Sequence, residues 1–303
     1  MVDGDKNKYY HLNLLVSMQF IDAIKLNKDH KNMYNKITSV LPTGFGALVP
    51  KEQFFLLTAI QVRMLMIRQG FIIVKNVNFD DENKFRKLIG DYGIAVEYTG
   101  RKKNVGYGYK DILKLDGEKN KIITGRGELP LHADGGLLQT RVDLIFLYAV
   151  KVKNMLFQGA TAICDHELAY QEMPYHLKRI LDEEVFEAKI LEKDYYGDAA
   201  PDDWFVIPVY TDYYWGRAMM IYFPFTDNNP PNWESRIVGF TAQENKAFFD
   251  ELKSFLTQPR YYYKHFWNKG DLVIMDNRRV IHARDPYSEE GERVLYRGQT
   301  TDF

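Results

Sequence analysis

The chain has a single cysteine, Cys164, in 303 residues. No intrachain disulfide is possible, which excludes the small stapled secreted scaffolds and fits a reducing compartment. Charge of one sign is missing as well. Forty Lys and Arg against 41 Asp and Glu leave a net charge of -1, so nothing electrostatic points to a nucleic-acid partner. Long apolar runs are absent, and no stretch approaches the ~18 residues expected of a membrane-spanning helix. The opening segment, MVDGDKNKYYHLNLL, carries acids and lacks the apolar stretch of a secretory signal. There is no internal repeat, low-complexity tract or clear linker. These absences predict a cytoplasmic globular protein with no membrane contact, and 46% hydrophobic content with 15% aromatics is ample for its core.

The patterning predicts one domain over residues 1–303, with helices and a strand of 1–95 packing on the core and a variable insert or lid over 165–260. Residues 51–69, KEQFFLLTAIQVRMLMIRQ, recur in apolar character at helical spacing and stop at Gly70. Phe71–Val74 reads as a buried strand, and Asp80 and Asp81 cap a second helix ending near Gly93. Residues 101–126 are basic and contain glycine and tyrosine, the composition of a loop. Strands follow at 144–150 and 160–164, then helix over 166–181 with a restart at Pro174. Residues 195–240, rich in Tyr, Trp, Pro and Asn, carry no assignable pattern. Thr241 with Glu244 forms a capping box for a helix to Leu256, and strands close the chain at 271–275 and 293–299. The fold class is α+β, mainly β: a double-stranded β-helix, or jelly roll, flanked by helices.

Three residues carry the chemistry. His132 and Asp134 stand in LPLHADGG, between Pro130 and Gly135-Gly136, where a strand ends and a turn begins. His282 follows the strand around Val273–Met275 and the turn Asp276-Asn277-Arg278. Read alone, the first pair is also compatible with an aspartate capping a turn beside a surface histidine, and His282 with a core histidine bonded to backbone. Together they supply two imidazoles and one carboxylate, a set that suits Fe(II) and leaves coordination positions open on the other face. Arg293 and Arg297 follow in ERVLYRGQ. On a strand their even spacing puts both on one face, about 13 Å apart, where one guanidinium can hold a carboxylate through a bidentate pair and the other a second anion. Val294 and Leu295 do not alternate cleanly, which leaves an outward basic stripe as the competing reading.

These ordered motifs resemble the taurine dioxygenase-like branch of the Fe(II)/2-oxoglutarate-dependent oxygenases. RQGFIIVKNVNFDDENKFRKLIGDYG is similar to that family's N-terminal strand-helix unit, and LPLHADGG to its metal motif. GATAICD is similar to the strand that follows, and GDLVIMDNRRVIHARDPY with ERVLYRG to the C-terminal metal and anion segment. The resemblance implies iron ligands at His132, Asp134 and His282. It implies contacts from Thr161 and Arg293 to the distal carboxylate of 2-oxoglutarate, and from Arg297 to a substrate acid group. One small departure is Gly159-Ala160, where the family usually has paired glycines before the threonine.

The implied reaction consumes 2-oxoglutarate and O2, releases succinate and CO2, and oxidises an unactivated C–H bond. Hydroxylation is the default outcome, with desaturation or ring closure, as in the kainoid synthases, as variants. Asp134 argues against halogenation, since halide-transferring relatives replace this aspartate with a small residue. Arg101, Lys102, Lys103, Arg126 and Arg297 suggest a small carboxylate-bearing, amino-acid-derived substrate, with Tyr98, Tyr107 and Tyr109 lining the same mouth. Two alternatives remain open. A zinc hydrolase would use the same ligands but has no general base beside the motif, and a non-catalytic jelly-roll binding protein would retain the site as a relic.

Overall fold

The computed structural model describes residues 36–96, 111–118, 121–138, 140–193, 201–213, 216–226 and 231–301. Its contacts divide the chain into Met1–Thr38 and Ser39–Phe303, and the second unit carries everything below.

Along the chain the elements are β1 (Ala47–Val49), α1 (Ala59–Gln69), β2 (Phe71–Val74), α2 (Glu82–Gly90), β3 (Ile94–Ala95) and β4 (Ile112–Leu115). Then come β5 (Leu129–His132), β6 (Leu144–Lys153), β7 (Thr161–Asp165), α3 (His166–Glu172), α4 (Tyr175–Glu183) and β8 (Phe186–Ile190). A further group holds β9 (Phe205–Ile207), β10 (Tyr210–Tyr213), β11 (Gly216–Met219), β12 (Trp233–Ile237) and α5 (Ala242–Leu256). Last are β13 (Tyr262–His265), β14 (Leu272–Asp276), β15 (Val280–Arg284) and β16 (Glu292–Thr301).

The larger sheet runs β1-β2-β14-β6-β16, with β3 and β4 both on the far side of β16. Only β1 and β2 pair in parallel among these strands. The smaller sheet is antiparallel in the order β13-β7-β15-β5. Alternation along each strand decides what each face buries. Ile145, Leu147, Val273, Met275 and Leu295 of the larger sheet meet Leu129, Ile163 and Val280 of the smaller one in a single apolar core. The opposite face of the smaller sheet presents Ala162, Cys164, Ile281 and Ala283 to Ala169, Leu177, Leu181, Phe248 and Leu252 of α3, α4 and α5. With both faces covered, every residue of β7 and β15 is buried. This is the jelly-roll core with flanking helices that the sequence predicts.

Three expectations change. Residues 51–69 are not one helix: Lys51–Phe54 forms a single turn and α1 starts afresh at Ala59. Thr58 takes the N-cap, accepting from the Gln61 amide while Gln61 accepts from the Thr58 amide, and this capping box competes successfully with a continuous helix. The basic loop contains β4, whose buried Leu113 and Leu115 alternate with less buried neighbours as an edge strand on β16. The unassigned stretch 195–240 holds four short strands, two of which, β9 and β12, flank β8 in a third sheet. By contrast Asp81 caps α2, and Thr241 with Glu244 caps α5 as read.

Candidate active site

β5 is the edge of the smaller sheet, the place where a strand tolerates proline. Pro130 sits there, and the register with β15 slips between the His282–His132 pair and the Arg284–Leu129 pair, a bulge that accommodates the missing amide. The slip puts His132 and His282 directly opposite each other, with ring centroids 4.3 Å apart. Past His132 the chain turns through Asp134 and Gly135. Gly135 has φ +91, and a Cβ there would fall 2.1 Å from the Thr140 carbonyl oxygen, so only glycine makes this turn.

The result brings His132, Asp134 and His282 together, all buried, with one ligand atom from each within 4.8 Å of the others. Asp134 Oδ1 lies 3.4 Å from His132 Nε2 and 3.8 Å from His282 Nε2. Its other oxygen, Oδ2, accepts from Gln299 Nε2 and lies 3.6 Å from Arg297 Nη1. One oxygen therefore faces the imidazoles while the other is occupied, which presents Asp134 as a single-oxygen donor. His132 Nδ1 is 2.8 Å from the Pro130 carbonyl. A carbonyl can only accept, so Nδ1 carries the proton and the Nε2 lone pair faces inward.

Asn277 fixes the carboxylate's backbone. Its amide donates to the Asp134 carbonyl at 2.9 Å and to the Val142 carbonyl at 3.0 Å. Its Oδ1 accepts from the Asp134 amide at 2.9 Å. Burial alone would raise the Asp134 pKa, but the Arg297 guanidinium, the His132 contact and His282 hold it well below the usual carboxylate range. Burial and the neighbouring His132 push His282 down to about 3, so this imidazole and the carboxylate are in the forms that bind a cation. Two imidazoles and a one-oxygen carboxylate fit Fe(II).

The arginine stripe faces inward. Arg293, Leu295, Arg297 and Gln299 share the core face of β16, with Arg293 only 2% exposed. The extra residue in this pairing lies on β6, where Val294 and Leu295 oppose Lys151 and Ala149, so alternation along β16 survives. Arg293 Nη1 donates to the Gly159 carbonyl at 2.5 Å while its buried Nε has no partner among the described residues. Burial pushes this guanidinium down to about 10, so it stays charged at neutral pH. The guanidinium also lies over the Tyr287 ring, and its unmet Nε is a donor that an incoming carboxylate would satisfy. Thr161, on β7, accepts from Trp267 Nε1 at 3.1 Å, which leaves its hydroxyl proton available to an anion.

A small chamber of about 40 Å³ lies beside His132 and Asp134, lined by these two with Gly135, Arg297 and the apolar Ile123, Leu129, Leu137, Leu138, Tyr222 and Trp233. Tyr222 donates to the Ala133 carbonyl and accepts from the Leu137 amide. Trp233 packs on His132 and Tyr222, at 5.4 and 5.2 Å, and is anchored by a 2.9 Å bond to the Phe223 carbonyl.

Arg126 is not brought into this chamber. Its guanidinium spans the carbonyls of Ser288 and Gly291 and lies over the Tyr287 ring. Tyr98, Tyr107 and Tyr109, with Arg101, Lys102 and Lys103, lie outside the described residues. The sequence reading missed Asn277, Gln299, Tyr222, Trp233 and Trp267. Only Asn277 left a signal, as a polar residue in a turn between two strands next to a ligand.

The chain belongs to the taurine catabolism dioxygenase TauD, TfdA family, whose model matches residues 39–299. It is similar to 3-((Z)-2-isocyanoethenyl)-1H-indole synthase of Fischerella ambigua, at 23% identity over 191 residues, 62% of this chain and 68% of the relative. It is similar also to alpha-ketoglutarate-dependent 2,4-dichlorophenoxyacetate dioxygenase of a Burkholderia species, at 29% identity over 271 residues, 84% and 87% of the two chains. In fold it matches PvcB from Pseudomonas aeruginosa with a TM-score of 0.64 at 18% identity, over 84% of this chain and 86% of that one. It is an Fe(II)-dependent dioxygenase with 2-oxoglutarate and O2 as co-substrates, and the zinc-hydrolase and relic readings fall with that assignment. Among the described residues no helix is long and apolar enough to cross a membrane.

Proposed function

We propose that this chain oxidises a C–H bond of a small carboxylate with an apolar, aromatic body, derived from an amino acid. His132, Asp134 and His282 hold Fe(II), and Thr161 and Arg293 hold the distal carboxylate of 2-oxoglutarate. The observation that carries the reading is the division of Asp134 between the two imidazoles on one oxygen and Gln299 with Arg297 on the other. When bound, iron with 2-oxoglutarate and O2 supplies an oxidant strong enough for an unactivated C–H bond, with release of succinate and CO2.

The protein supplies position and dryness. Arg293 and Thr161 orient the co-substrate from the buried end. Arg297 shares a chamber with His132, Asp134 and apolar side chains and receives the substrate carboxylate, while Leu137, Tyr222 and Trp233 exclude water around it. Two relatives, the 3-((Z)-2-isocyanoethenyl)-1H-indole synthase and the 2,4-dichlorophenoxyacetate dioxygenase, are named for aromatic compounds and support this choice.

Anaerobic Fe(II) with 2-oxoglutarate should give a weak visible charge-transfer band, and aryl-substituted amino-acid derivatives should stimulate succinate release once O2 is admitted. Arg297→Ala should raise the substrate KM by about 10- to 100-fold while 2-oxoglutarate affinity stays within about threefold. Equal stimulation by analogues lacking the carboxylate would remove Arg297 from its role. Product mass separates hydroxylation from desaturation or ring closure.

A further inference from the structure

Two buried arginines stand at the co-substrate end of the site, and the reading above uses only one. Arg284 lies on β15 two residues past His282 and is 5% exposed. Among the described residues it forms no ion pair. Its fork is taken by three backbone carbonyls instead: Ile123 and Ile122 at 2.6 Å each, and Gly127 at 2.8 Å. All three belong to the segment leading into β5, and Ile123 lines the chamber beside His132 and Arg297.

The sheet register gives this residue a particular place. Arg284 stands opposite Thr161 on β7 and opposite Leu129 on β5. One neighbour belongs to the proposed 2-oxoglutarate pocket and the other to the chamber wall. A guanidinium withdrawn from water with no carboxylate on its fork is a poorly compensated buried charge. Arg293 is buried in the same state, its Nη1 on the Gly159 carbonyl. An anion bound beside Thr161 and Arg293 relieves both cations at once.

We propose that Arg284 is a positioning residue that couples the 2-oxo acid pocket to the substrate chamber. Its charge helps Arg293 hold the co-substrate's distal carboxylate. Its grip on three carbonyls transmits that occupancy to the 122–127 segment, fixing Ile123 in the wall the substrate meets. The inference rests on the assignment of Thr161 and Arg293 to 2-oxoglutarate.

The test compares Arg284→Lys, which keeps the charge but cannot span three carbonyls, with Arg284→Gln, which loses it. Affinity for 2-oxoglutarate is read from the anaerobic charge-transfer band with Fe(II), and coupling from succinate formed per substrate consumed. Arg284→Gln should weaken 2-oxoglutarate binding about tenfold, whereas Arg284→Lys stays within about threefold. Both should release succinate in excess of substrate consumed. In the unaltered protein, adding 2-oxoglutarate with Fe(II) under anaerobic conditions should slow amide hydrogen exchange across residues 121–129. This last measurement decides the matter if Arg284→Gln does not fold. Unchanged affinity in Arg284→Gln, full coupling in Arg284→Lys, or unchanged exchange at 121–129 overturns the proposal. Arg293→Leu serves as the reference: if it too binds 2-oxoglutarate normally, the pocket assignment fails rather than the role of Arg284.

Discussion

The metal side of the site and the chamber wall above it are held by different forces. Around Asp134 the polar groups are held by directed bonds: Asn277 on its backbone, Gln299 on one oxygen and the Pro130 carbonyl behind His132, with His282 Nδ1 the exception, having no partner among the described residues. The wall is built from Leu137, Tyr222 and Trp233 with Ile123 and Leu129, and most of its stability is apolar packing. Hydrogen bonds fix atoms to within tenths of an ångström, whereas packing fixes volume and shape. Chemistry that is common to a family belongs on the first kind of support, and substrate choice on the second.

Mutations should separate the two. The largest effect is expected from Asp134→Ala, which should lower turnover by about a thousandfold or more and reduce Fe(II) affinity measured by equilibrium binding. Next is Asn277→Ala. It strips the Asp134 backbone of two partners and should weaken Fe(II) binding about 10- to 100-fold, with about 1–3 kcal/mol lost from stability. An Asn277→Ala protein with normal iron affinity would mean the clamp does not position the carboxylate. On the wall side, Leu137→Ala should raise substrate KM by about 10-fold while iron and 2-oxoglutarate affinities hold. If iron affinity fell in step, the two regions would not be separable.

The smallest effect on activity lies outside both regions and concerns acid stability. His166, at the start of α3, is 2% exposed and bonds the Arg278 carbonyl at 3.0 Å. Burial pushes its pKa down to about 4 from 6.5. The unfolded chain therefore binds the extra proton first, so stability is lost as pH falls from about 6.5 toward 4 and is flat above that window. The loss from this residue is roughly 3 kcal/mol at most. His166→Gln should flatten the dependence of the urea midpoint between pH 7 and 5, and an unchanged slope would assign the acid sensitivity to other groups such as His282.

Much of the architecture was legible because it depends on local signals. Thr241 and Glu244 announced α5, and Asp81 announced α2, through capping chemistry that acts within four residues. The pair LPLHADGG and VIHARDPY marked the three candidate ligands because donor type and turn glycine are local properties. Where the reading failed, the deciding contact was remote or the pattern was short. The helix over 51–69 broke because Thr58 offered a better start than continuation, and β4 was hidden in a segment of loop-like composition. Arg126 looked like a substrate cation until its fork was seen on the carbonyls of 288–291. Tyr222 and Trp233 carried no signal, since nothing near them in sequence marks an aromatic as chamber wall.

The sequence by itself determined the donor set, the inward spacing of Arg293 and Arg297, and the class of chemistry, because residue type and period two survive without coordinates. Only the tertiary structure decided which oxygen of Asp134 faces the histidines, which residues clamp it, and that Arg284 stands between Thr161 and the chamber wall. Those facts arise from register between strands far apart in the chain, and a bulge at Pro130 or at Val150 shifts register without leaving a mark that sequence pattern can carry.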